Sequence, residues 1–179
     1  MAMLANHRLR TKPLLLMMTA AVCLMAAGAA LASPVDASNL LTTEDRKHLL
    51  GDTFQIYYTV NAIPASVQSA LIGRRLMGPS YGSPPFPLVD PGKPYNSTDV
   101  VLYANLPSRR LIFVAVSQGY CLIAYEQGGI GYSRDAALYR LTGKKAKLTW
   151  STDVEGNCRT LSDVRAAVRA KNYRDGGWR

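Results

Sequence analysis

From residue 99 onward the chain is cut into short apolar runs of nearly equal length: DVVLYA, LIFVAV, CLIAYE, AALYRL and AKLTW. They are parted by NLPSRR, SQGY, a glycine-bearing stretch and TGKK. Runs of five or six residues rich in β-branched and aromatic side chains read as strands. Connections this brief join antiparallel neighbours, because a parallel crossover needs a dozen residues or more. The second half of the chain is therefore expected to be a β-meander. LIFVAV has no polar residue and is expected to be its central, doubly buried strand. In the last run Ala146, Leu148 and Trp150 alternate with Lys147, Thr149 and Ser151, which predicts one wet face.

The flanks read as helices. Thr42 or Thr43 can cap a short one with Glu44 and Asp45 in its first turn and Gly51 at its end. DTFQIYYTV then predicts a half-buried strand, with Phe54, Ile56, Tyr58 and Val60 on the inner side. Pro64 opens a second short helix that carries Ile63, Val67, Ala70 and Leu71 on one face and stops at Gly73. At the other end TLSDVRAAVRAKNY predicts a helix capped by Thr160 or Ser162, with a stripe of Leu161, Val164, Ala167 and Val168. Grouped strands with helices at both ends give an α+β domain: an antiparallel meander of about five to six strands, short N-terminal helices and a C-terminal helix.

The front of the chain bears on where this domain works. Arg8, Arg10 and Lys12 precede an uncharged apolar run, Leu14 to Ala32, that ends in Ala30-Leu31-Ala32 before Ser33. This is the pattern of a cleavable signal peptide, cut between Ala32 and Ser33. An uncleaved anchor is the rival reading, but the run is rich in Ala and Gly and its small-x-small site is well placed. Cleavage leaves residues 33–179 as one domain in the periplasm or outside the cell, with no membrane span. The three basic residues removed lower the net charge from +9 to +6. That surplus favours an anionic envelope component or an acidic protein as partner, and the absence of a dense basic run argues against nucleic acid.

Cys121 and Cys158 are the two cysteines left, an even number in an oxidising compartment. One disulfide between them is expected, pinning the C-terminal helix to the meander and closing a loop worth about 4 kcal/mol. With His48 as the one histidine after cleavage, no metal site and no cofactor are expected.

Residues 74–98 differ from the rest. Six prolines and three glycines forbid a helix or central strand, and a loop of this length is either functional or unstructured. Asn96-Ser97-Thr98 also matches a glycosylation sequon.

The stretch GYCLIAYEQGGIGYSRDAALYRL holds the remaining chemistry. It is not a phosphate loop: Arg134 stands where G-x-G-x-x-G requires its last glycine, and a strand rather than a helix follows. Gly128 and Gly129 instead supply a positive φ or a bulge in a hairpin connection. Glu126 and Asp135 bracket this loop. If they faced each other they would form the paired carboxylates of a small envelope hydrolase. His48 and the serines fall in no nucleophile pattern. The leading expectation is instead a non-catalytic, exported binding protein, such as an inhibitor or immunity-type protein directed at an envelope partner. Arg74, Arg75, Tyr81, Phe86, Tyr132 and Arg134 are its expected anchors, because Tyr, Phe and Arg offer large or planar contacts on projecting loops. A third reading is a basic structural protein on the membrane surface, since Arg165 and Arg169 share a face of the last helix.

Overall fold

A computed structural model describes residues 40–73, 88–98, 105–129, 131–154, 156 and 158–175, all within one compact unit. The segment expected to direct export, the strand expected at 99–104 and residues 74–87 of the proline-rich loop lie outside the described residues. Within them the chain forms helix α1 (Thr43–Gly51), strand β1 (Gln55–Tyr57), a 3-10 turn and helix α2 (Ala65–Gly73). Strands β2 (Arg109–Val116), β3 (Tyr120–Gln127), β4 (Ser133–Thr142) and β5 (Lys145–Val154) follow, then helix α3 (Leu161–Ala170) and strand β6 (Tyr173–Asp175). The six strands make one antiparallel sheet in chain order; brief connections join β2 through β5, whereas α2 lies between β1 and β2 and α3 between β5 and β6. The fold is α+β. Among the described residues no helix is long and apolar enough to cross a membrane.

The caps behave as the sequence predicts. Thr42 accepts from the Asp45 amide, and Thr160 and Asp163 form a reciprocal capping box on α3. Helices cover both faces of the sheet. On one, Leu49 of α1 and Leu161, Val164 and Val168 of α3 pack with Phe113, Leu122, Leu138 and Trp150. On the other, Val67 and Leu71 of α2, with Ile63 and Leu88, pack with Leu111, Val114, Ile123, Tyr139 and Leu148. The expected wet face of β5 is therefore cut short: Lys147 is exposed, but residues 148–152, Thr149 and Ser151 among them, are all buried.

Two register shifts explain why simple alternation misleads here. One falls between Leu111 and Phe113, the other opposite Leu138 and Tyr139, so Ile112 and Thr149 are extra residues in their strands. Leu148 and Trp150, two apart, consequently face opposite sides of the sheet. The most buried strand is β3, enclosed at every residue from Tyr120 to Tyr125, rather than the more apolar LIFVAV of β2. At the edge β1 is only three residues long. Ile56 and Tyr58 are exposed because the chain turns away at Val60, whose amide donates to Asp90 Oδ1 at 2.6 Å. The expected end of the last helix is also revised. Lys171 turns left-handed, φ 58°, and residues 173–175 add the sixth strand instead.

The expected disulfide is absent. Cys121 lies in the core under α2 and Cys158 in the core under α3, so the sheet stands between the two thiols. Each behaves as a small buried hydrophobe, its pKa pushed up to about 12 chiefly by burial. What holds α3 in place is apolar packing and Arg165, which donates to the carbonyls of Leu49 and Asp52 at 2.8 and 2.6 Å. A reductant should accordingly leave the melting temperature unchanged, and both thiols should react with a thiol reagent only after unfolding. A protein two hydrogens lighter before reduction than after would overturn this placement.

Candidate functional site

Opposed charges on neighbouring strands build the site. Arg110 of β2, Glu126 of β3 and Arg134 of β4 are successive cross-strand partners, giving a plus–minus–plus row on the α1/α3 face. Glu126 is the hub. Its Oε2 accepts from Arg110 Nη2 at 2.6 Å, Arg110 Nε at 3.0 Å and the Tyr95 hydroxyl at 3.2 Å. Its Oε1 accepts from the Tyr132 hydroxyl at 3.0 Å, while Arg134 Nε stands 3.9 Å away. The two arginines also lie over rings: Arg110 over Tyr95 at 4.4 Å and Arg134 over Tyr132 at 5.6 Å. Burial alone would raise the Glu126 carboxyl, but hydrogen bonds from Arg110, Tyr132 and Tyr95, with the Arg110 charge, hold it below its ordinary value.

The proline-rich loop reaches this hub through its second half. Asn96 is buried, its amide donating to Pro107 and its Nδ2 to the Leu106 carbonyl. The sequon is therefore part of the packing and presents no free side-chain amide. Gly128 sits under the same loop: an added Cβ would lie 2.2 Å from the Asn96 carbonyl oxygen. Of the two glycines expected to supply a positive φ, Gly129 does so at 98°, whereas Gly128 does not; Gly131 takes the second left-handed position at 95°.

Beyond the hub, the ends of β4, β5 and β6 open into a surface cleft of about 550 Å³. Tyr132, Ser133, Arg134, Asp153, Val154, Gly156 and Arg174 line it. Tyr132 is 48% exposed at the rim, and Arg134 Nη1 donates to the Gly156 carbonyl at 3.3 Å.

Of the anchors expected from sequence, Tyr132 and Arg134 come together here, whereas Arg74, Arg75, Tyr81 and Phe86 lie outside the described residues. Tyr95, Arg110 and Arg174 are additions that sequence reasoning missed. For Arg110 a signal existed, since it directly precedes the apolar run LIFVAV, whose partner run CLIAYE ends in a lone glutamate.

Glu126 and Asp135 do not face each other. Glu126 pairs with Arg134 and Tyr125 with Asp135, so the two carboxylates lie on opposite faces of the sheet. Asp135 is 2% exposed, on the α2 side. A paired-carboxylate hydrolase needs both acids on one bond, and this arrangement separates Glu126 from Asp135. His48 stacks on Tyr120 at 4.7 Å and its Nδ1 lies 3.1 Å from Asp52 Oδ1. Ser117 reaches the same aspartate, at 3.5 Å, so serine and histidine share an acceptor instead of a proton path. Among the described residues no three His, Cys, Asp or Glu side chains group as a metal site. On α3, Arg165 is occupied with α1 carbonyls, which removes it from the basic face expected there.

Compared with family models, with curated protein sequences and with solved structures, the chain matches none.

Proposed function

We propose that the protein is an exported, non-catalytic binding protein that takes an acidic group of its partner at the Tyr132–Arg134 cleft. The specific form of this reading is an inhibitor or immunity-type protein acting on an envelope-directed partner. One observation carries it. Glu126 fixes the Tyr132 hydroxyl at 3.0 Å and lies beside Arg134, so a half-exposed aromatic and a guanidinium are held at the rim of an open cleft. Arg174 adds a second guanidinium to the lining. Side chains already ordered lose less conformational entropy when a partner arrives. Arg and Tyr are the residue types that anchor interfaces most often. The signal-like segment ending at Ala32 supports export, and the surplus of basic residues supports an acidic partner. The separation of Glu126 from Asp135 supports binding over hydrolysis.

The test is to isolate the mature chain from its own envelope fraction with what travels with it, then measure the affinity of the pair. Mature protein should begin at Ser33. Tyr132→Ala and Arg134→Ala should each weaken binding by more than ~1 kcal/mol with the melting temperature unchanged. Unaltered affinity in both variants, or an affinity loss that only tracks lost stability, would remove the cleft from the interface.

A further inference from the structure

The hairpin between β4 and β5 lies at the opposite end of those strands from the cleft, about 30 Å away along β4. Its role stands whether or not the cleft takes a partner. Residues 136–152 hold four basic side chains, Arg140, Lys144, Lys145 and Lys147, and no acidic one. Arg140 and Lys147 are direct cross-strand partners and Lys145 pairs with Thr142, so no pairing across the ladder offsets a charge. Like charges placed opposite each other destabilise a sheet. Lys145 and Lys147, two apart in the strand, share a face with Arg140, and Lys144 stands in the turn with Gly143. All three lysines are exposed, and among the described residues none has an ion pair or a hydrogen bond to an acid.

The neighbouring elements leave this surplus in place. Helix α1 brings Glu44 and Asp45 to the hairpin, and Arg140 takes both, at 3.2 and 2.9 Å. Arg46 and Lys47 follow them on the same helix, so α1 adds no net negative charge. The β2–β3 turn, Ser117 to Gly119, is uncharged and braces the hairpin, the Leu141 amide donating to the Gly119 carbonyl at 2.8 Å. An ordered cationic tip results, with residues 142–145 all exposed.

The residue types decide what such a tip can meet. Protein interfaces are depleted in lysine and draw on buried aromatic and arginine anchors, and residues 142–147 contain neither. A polyanionic chain needs a basic groove to follow, and this row ends within one hairpin. Lysine's compact, hydrated ammonium suits a plane of phosphate headgroups, which attracts it without burying it. We propose that Lys144, Lys145 and Lys147 dock the protein on a membrane surface bearing anionic phospholipid, with the Tyr132–Arg134 cleft turned away from that surface.

Cosedimentation of the protein with phosphatidylcholine vesicles, with and without phosphatidylglycerol, reads the contact. Binding should require phosphatidylglycerol and fall steeply with salt, as the Debye length shrinks from about 10 Å at 0.1 M to about 3 Å at 1 M. Lys145→Gln/Lys147→Gln should bind about thirty-fold more weakly with no loss of melting temperature, since each lysine at an anionic surface contributes about five-fold. Lys93→Gln/Lys171→Gln removes the same charge toward the cleft end, beyond Val89 and ahead of β6, and should weaken binding by less than about threefold. The N-terminal apolar segment is common to all these chains, so their ratios read the tip. Vesicles should also shield Lys144, Lys145 and Lys147 from amine acylation while Lys171 stays reactive. Equal losses in the two double variants would reduce the contact to overall charge and overturn the docking tip. So would binding that ignores phosphatidylglycerol, tip lysines that stay reactive on vesicles, or a tip that takes soluble polyphosphate and not the vesicles.

Discussion

Trp150→Ala should cost the protein about 4 kcal/mol, a large share of the stability of a domain this size. Trp150 is fully enclosed beneath α3, and its ring meets that of Tyr173 edge-on at 5.5 Å. Its indole Nε1 donates to Asp175 Oδ1 at 2.7 Å. The same side chain therefore fills the core and anchors β6, the last strand of the sheet. Trp150→Phe separates the two roles. It keeps most of the apolar volume and should lose about 1–2 kcal/mol, while amide exchange at Tyr173–Asp175 rises more than elsewhere. Because β6 carries Arg174 at the cleft, releasing it should also weaken partner binding. Chemical denaturation of the three proteins decides the point. A loss below about 1 kcal/mol for Trp150→Ala would mean that the α3 face repacks around the gap.

That this tryptophan faces α3 was not legible from its neighbours. A strict alternation puts it on the side of Leu148, and only the extra residue Thr149 turns it over. Bulges leave little trace in composition, because the inserted residue looks like any other strand residue. Features set by local chemistry were legible: the Thr42 and Thr160 caps, the apolar stripe of α3, and the meander of short runs. Features set by register were not. Cys121 and Cys158 form an even pair in the sequence, yet fall on opposite faces once β3 is placed in the sheet. Glu126 and Asp135 illustrate the same dependence. Opposite charges favour Glu126 facing Arg134, and in that register Asp135 must face Tyr125 and point the other way. Charge pairing, read that way, was the signal that separates the two acids. The salt bridge of buried Asp45 with the partly exposed Arg140 at 2.9 Å had no such signal, since it joins residues 95 positions apart.

Gly128→Ala should be the most damaging single-methyl change in the described chain, with a loss of about 3 kcal/mol. A Cβ there would stand 2.2 Å from the Asn96 carbonyl oxygen and 2.8 Å from the Ser97 backbone. These are backbone atoms, so relief requires moving the loop and not a rotamer change. That loop is held down by the Asn96 amide on the Pro107 carbonyl, by the Asn96 Nδ2 on the Leu106 carbonyl and by the Gly129 amide on the Thr98 carbonyl. Displacing it would carry Tyr95 away from Glu126 and from Arg110, and so slacken the hub that orders Tyr132 and Arg134. Binding and stability should therefore fall together in Gly128→Ala, whereas Tyr132→Ala should lower binding alone. Gly119→Ala, in the turn between β2 and β3, supplies the control: an added Cβ meets nothing within 4 Å, and the change should lie within about 0.5 kcal/mol of the parent. Equal melting temperatures for Gly128→Ala and Gly119→Ala would show that the loop does not rest on this glycine, and would leave the glycine stretch a turn with no part in ordering the cleft.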